Sequence, residues 1–132
     1  MANSLLGALE IAIRTDPGQV RGQNEDSVFA DADHGMAILA DGMGGYNAGE
    51  VASSMATKIL ASGLEDALQS ATADAADGQT GLLCAQRSLV EHIAEANAAI
   101  YRAAEEQSRF GGMGTTLVAT VFCDNQLIVA HI

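Results

Sequence analysis

Tryptophan is absent from this 132-residue chain, and aromatic residues make up only 4% of it. A core built from such a sequence has to be aliphatic and rich in alanine. Basic residues are almost as scarce, with 6 Lys and Arg against 17 Asp and Glu and a net charge of −11. The acids are spread along the chain rather than gathered in a block, and there is no Lys/Arg stripe. That distribution excludes a nucleic-acid backbone or an anionic membrane as a partner. Part of the acidity is solvating surface, and part is available to hold cations. No apolar run approaches the ~20 residues of a membrane span. Met1 to Leu9 carries no basic segment ahead of a long apolar one, so no secretory signal is expected and the predicted location is the cytoplasm. Cys84 and Cys123 lack C-x-x-C spacing and read as reduced structural thiols.

Two glycine-rich turns invite a nucleotide-binding reading, and the residues around them exclude it. A phosphate loop of the Walker type needs a lysine after its last glycine, whereas the only lysine, Lys58, falls inside a helical pattern. A dinucleotide fingerprint needs a third glycine where Asn47 follows Gly42-Met43-Gly44, and where Leu117 follows Gly112-Met113-Gly114.

With 48% hydrophobic and 17% charged residues, the chain has the make-up of one globular domain. Its length suffices to bury about two thirds of the unfolded surface. Glu10 to Thr15 alternates apolar and polar residues, which predicts a half-buried strand stopped by the turn Asp16-Pro17-Gly18. A polar stretch, Val20 to Asp26, leads into a second strand at Ser27 to Ala30. Asp31 to Gly35 reads as a hairpin turn with His34 at its exposed tip, and Met36 to Ala40 as the next strand, ending at Asp41.

Asn47-Ala48-Gly49-Glu50 has capping-box spacing, and Val51, Met55, Ile59, Leu60, Leu64 and Leu68 then recur at helical intervals over about five turns. Ser70 to Gly81 reads as a loop. A second helix is predicted from Leu82 to Gln107, with Val90, Ile93, Asn97, Ile100 and Ala104 on its core stripe and Tyr101 beside it. A second glycine turn, Phe110 to Thr116, opens a strand from Leu117 to Cys123. Asp124-Asn125 turns it back into Gln126 to Ile132. The sequence stops within that apolar strand, and the expectation is a portion of a larger fold.

The chemistry concentrates at Ile38 to Gly45, where an apolar strand delivers Asp41 into glycines over which a ligand can come close to the backbone. Arg21, Glu25, Asp26 and Asp41-Gly42 together make an anion-and-cation site. Carboxylates and a backbone carbonyl are the oxygen ligands that Mg²⁺ or Mn²⁺ prefers, and an Arg fork suits a phosphate.

Arg21-Gly22-Gln23-Asn24-Glu25-Asp26, Ala40-Asp41-Gly42-Met43-Gly44-Gly45 and Gly112-Met113-Gly114-Thr115-Thr116-Leu117 stand in the order and spacing of a known family. In these motifs the chain resembles the metal-dependent type 2C Ser/Thr protein phosphatases, bacterial branch. The resemblance implies an α+β fold of the α/β type, a four-layer α-β-β-α sandwich of antiparallel sheets flanked by helix pairs. Residues 1–132 would be the N-terminal part of that single catalytic domain. It implies two Mn²⁺ or Mg²⁺ ions, with Asp41 bridging them, the Gly42 carbonyl on one, and Glu25 and Asp26 holding or orienting their waters. Arg21 would bind the substrate phosphate, and attack would come from a hydroxide held between the metals.

Phosphorylated proteins and an opposed Ser/Thr kinase are the implied partners. Eukaryotic members carry His where Met43 stands, and many bacterial ones where Tyr46 stands. The general acid is therefore either Tyr46, a weak donor with an ordinary pKa near ~10, or a water. Family members continue with two further metal-binding aspartates, so these 132 residues by themselves are expected to show little activity and poor stability. The alternative is a non-catalytic regulatory or binding module that keeps the phosphatase fold.

Overall fold

A four-residue turn, Ala32 to Gly35, fixes the register on which the site depends. In the computed structural model, which describes residues 5, 7–74, 78–123 and 125–132, Gly35 takes a φ of 68° and closes the hairpin. Asp31 holds the turn from the other end. Its Oδ1 accepts the backbone N–H groups of Asp33 at 3.0 Å and His34 at 3.2 Å, and its Oδ2 lies 2.6 Å from Nδ1 of His34. His34 is thus not the exposed tip expected from its place in a turn, since its ring is hydrogen-bonded to the Asp31 carboxylate and only 24% of the side chain is exposed.

From this turn run β1 (Asp26–Asp31) and β2 (Met36–Met43), paired antiparallel with Asp31 opposite Met36 and Asp26 opposite Asp41. β2 also pairs with the short β3 (Gly114–Thr115) and with β4 (Val118–Cys123), which turns back into β5 (Gln126–His131). The sheet order is β1-β2-β4-β5, with β3 alongside the end of β2. Period-two alternation sends Met36, Ile38, Ala40, Ala119 and Val121 to one face, where all are buried.

That face is covered by α1 (Ala48–Asp74) and α2 (Gly78–Glu106). The core they make is aliphatic and alanine-rich, as the missing aromatics require. Ala48, Ala52, Ala56, Leu60, Leu64 and Leu68 come from α1, and Ala85, Leu89, Ala96 and Ile100 from α2. An α+β fold with antiparallel strands and a helix pair is therefore present, as one sheet and one helical layer. On the opposite face Leu39, Val118, Phe122, Leu127 and Val129 remain exposed.

Several elements differ from their sequence reading. Glu10 to Thr15 is irregular rather than a strand. Its alternation is real, but it pairs with no strand of this sheet. Ile11 to Arg14 instead borders a shallow groove of about 290 Å³ with Val28, Leu39, Val118 and Thr120.

β2 runs on past Asp41 to Met43 because β3 pairs with its end. The expected loop from Ser70 to Gly81 is largely helical. α1 continues to Asp74 and α2 begins at Gly78, while residues 75–77 lie outside the described ones. Ala71 and Ala73 carry the end of α1, since alanine favours helix without any apolar periodicity.

The stripe assigned to α2 is also shifted. Val90 is 72% exposed, and Asn97 and Tyr101 face solvent too, whereas Ala85, Ser88, Leu89 and Ala96 are buried with Ile100. Asn47 does not have the extended backbone of a capping residue, because its φ is 67°. Asp124 of the last turn lies outside the described residues, and Cys123 pairs with Gln126 across it. Cys84 and Cys123 are not joined in a disulfide.

Candidate active site

Strand pairing brings the two motif acids together. Asp41 lies directly across from Asp26, a like-charged pair of the kind that sheets disfavour. Asp26 shows the effect. Partial loss of its water, followed by a shared hydrogen bond with Asp41 and the like charge of that carboxylate, holds the Asp26 carboxyl above its ordinary value. Arg21 opposes the shift and Glu25 adds to it. A carboxyl pushed toward protonation beside a like-charged neighbour makes a seat that a divalent cation would relieve.

Both neighbours of β2 hold Asp41 in place. On one side the Gly42 N–H donates to the Glu25 carbonyl at 3.0 Å. On the other, the Thr116 N–H donates to the Asp41 carbonyl at 2.9 Å, while the Asp41 N–H donates to the Thr116 hydroxyl at 3.3 Å. Thr116 was not singled out from the sequence as a functional residue, and its place directly after Gly114-Thr115 is the signal that could have found it. The loop before β1 is tied as well. Asn24 accepts the Asp26 N–H at 3.0 Å, and its amide donates to the Thr15 hydroxyl at 2.8 Å.

A depression of about 420 Å³ opens beside the acids, lined by Arg21, Gly22, Gln23 and Glu25 from one loop and by Gly44, Tyr46 and Asn47 from the other. Arg21 and Glu25 thus share one concavity, next to the strand ends that carry Asp26, Asp41 and Gly42. Tyr46 lines it and is 91% exposed, and Met43, at the end of β2, is 66% exposed. Tyr46 and Asn47 both have left-handed backbone, at φ 51° and 67°, a conformation non-glycine residues seldom take. Such outliers gather where ligands bind.

The donor set fits a divalent metal in type, being oxygen-rich and anionic, and it is a partial set. Among the described residues, no three His, Cys, Asp or Glu side chains converge into a complete metal site.

This sheet, its helix pair and this loop of acids beside an arginine define a class. The family model for protein phosphatase 2C matches residues 19–132, and the chain belongs to that family. Among its relatives, the serine/threonine phosphatase stp of Listeria welshimeri is 39% identical over 125 residues, which cover 90% of this chain and 45% of that protein. The crystal structure of the Mycobacterium tuberculosis serine/threonine phosphatase PstP/Ppp superposes with a TM-score of 0.73 at 41% identity, covering 90% of this chain and 44% of that one. A structure of the PstP catalytic domain in complex with two manganese ions matches with a TM-score of 0.62 at 40% identity, over 90% of this chain and 45% of that one. The chain spans a little under half the length of these relatives.

Proposed function

We propose that the chain is part of a metal-dependent protein serine/threonine phosphatase catalytic domain, which releases phosphate from phosphoserine and phosphothreonine in proteins. The observation that carries this reading is the Asp26–Asp41 pair, held across two strands beside the concavity that contains Arg21. Asp41, Glu25 and the Gly42 carbonyl would hold divalent cations, Mn²⁺ or Mg²⁺, as two manganese ions are held in the PstP relative. When bound, such ions supply an activated water and offset the charge of the phosphoryl group.

The chain's own residues do the rest. Arg21 presents a planar fork that can take two phosphoryl oxygens at once, which fixes the orientation of the substrate. Asp26, with its raised pKa, hydrogen-bonds and orients water at the cation site. The openness of the concavity suits a phosphorylated side chain on a protein surface rather than a small enclosed ligand. Among the described residues no helix is long and apolar enough to cross a membrane. We place the protein in the cytoplasm, opposed to a Ser/Thr kinase.

Met43 and Tyr46, which stand where members of the family carry His, favour a second reading, a regulatory module that binds partners without turnover. Asp41→Asn separates the two. An enzyme loses Mn²⁺-dependent phosphate release from a phosphothreonine peptide, while a binding module keeps its partner affinity. Arg21→Ala gives a further check, with an expected rise of about tenfold in KM for the phosphopeptide from loss of the phosphate fork.

A further inference from the structure

Gly49, in the first turn of α1, is a residue to which neither the motifs nor the site description gives a role. A Cβ built at this position would collide with the Glu25 carboxylate, with Oε1 nearest and Cδ at 2.8 Å, and would stand 2.9 Å from the carbonyl carbon of Gly42. Its φ is not left-handed, so backbone conformation does not require glycine here. Space does. The Glu25 side chain lies across the turn where position 49 has no side chain of its own, while the Glu25 carbonyl accepts the Gly42 N–H.

We propose that Gly49 is a positioning residue: its missing side chain lets the Glu25 carboxylate lie against the start of α1, within the concavity shared with Arg21. This rests on the reading of Glu25 as part of the cation site. The chemistry of the clash points the same way. Most of it falls on the far end of a flexible side chain, which can rotate aside at little expense to the fold. The remaining contact, at 2.9 Å from the Gly42 carbonyl carbon, is with backbone and has to open by about half an ångström to reach ordinary van der Waals distance. A methyl group at position 49 therefore acts first on the carboxylate, turning it away from the start of α1, with a smaller adjustment of the backbone at Gly42. Gly42 differs. A Cβ there would meet the carbonyl oxygens of Gly49 and Glu25, which are backbone atoms and cannot swing away.

The test is a double-mutant cycle in the natural protein at the length the cell makes it, with Mn²⁺ affinity read by calorimetry and thermal unfolding read in EDTA. Gly49→Ala is expected to shift the EDTA midpoint by no more than about 4 °C and to weaken Mn²⁺ binding by about tenfold or more. In a Glu25→Ala background, itself weakened, Gly49→Ala is expected to have no further effect on affinity.

Unchanged Mn²⁺ affinity in Gly49→Ala, with Glu25→Ala weakened, overturns the positioning role alone. Equal weakening by Gly49→Ala in both backgrounds also overturns it, by routing the effect through Gly42. Full affinity in Glu25→Ala overturns the reading of Glu25, and the inference with it. Failure of Gly49→Ala to fold in either background contradicts the claim that the carboxylate yields.

Discussion

Asp26 and Asp41 oppose each other across the β1–β2 ladder, and burial of the Asp26 carboxyl, followed by the hydrogen bond and like charge of Asp41, sets how Asp26 responds to pH. The Asp26 carboxyl is held above its ordinary value of 3.8, so in EDTA its contribution to stability is full below that pH. It is lost as pH rises through the raised folded-state value. Asp41→Asn removes the opposing charge. The substitution is expected to raise the EDTA-state stability at pH 7 by about 0.5 kcal/mol, the scale of a like-charged cross-strand pair, while abolishing metal-dependent turnover. Urea unfolding at pH 7 checks the first part.

Asp31 runs the other way. Burial alone would raise its pKa, but hydrogen bonds from the His34 ring and from the backbone N–H groups of His34 and Asp33 outweigh burial and hold it below 3.8. Its contribution is present above 3.8 and is lost as pH falls through the lowered folded-state value. The urea midpoint of Asp31→Asn should therefore show less acid loss than that of the parent.

At the level of elements, the helices cover the sheet with small residues, and this governs which substitutions matter. Leu64 is fully buried, and Leu64→Ala is expected to cost about 3 kcal/mol. Val90→Ala, at a site 72% exposed, should fall within about 0.5 kcal/mol. Equal effects at the two positions would contradict the observed faces of α1 and α2.

The two helices meet closely at Gly63, where a Cβ would run into the His92 ring. That ring is held by its Nδ1, 2.8 Å from the Ser88 carbonyl oxygen and 3.0 Å from the Ser88 hydroxyl. Gly63→Ala should destabilise by about 1–3 kcal/mol through overpacking and be nearly neutral in a His92→Ala background, as equilibrium unfolding would show.

These small contacts also explain which elements the sequence revealed. The hairpin and both glycine turns were legible because Gly35 and the Gly112–Gly114 run leave few alternatives. The α2 stripe was not, since its buried positions are Ala85, Ser88, Leu89 and Ala96, while the large apolar Val90 and Tyr101 face water. Hydrophobic periodicity cannot find a core that alanine makes.

On the scale of the whole molecule, the site is assembled by register. Five residues back from Asp31 and five on from Met36 lead to Asp26 and Asp41, so the facing acids were implicit in the hairpin once its turn was known. The strap from Thr116 and the packing of Glu25 on Gly49 were not legible. Both join residues distant in sequence, through a backbone approach that no local pattern encodes. Likewise, the alternation of Glu10 to Thr15 marks a segment facing an apolar surface without saying whether it joins a sheet.

The described residues provide acids from β1 and β2 and no complete ligand cluster. The 132 residues by themselves should accordingly bind Mn²⁺ weakly, and calorimetry on the isolated chain measures that.

The most direct measurement of the proposed activity is phosphate release from a phosphothreonine peptide by the natural protein, with Mn²⁺ or with EDTA, beside its Asp41→Asn variant. The expected result is turnover with Mn²⁺ that falls by at least about a hundredfold both in EDTA and in the variant. Turnover that survives EDTA and Asp41→Asn unchanged would contradict a metal site centred on Asp41.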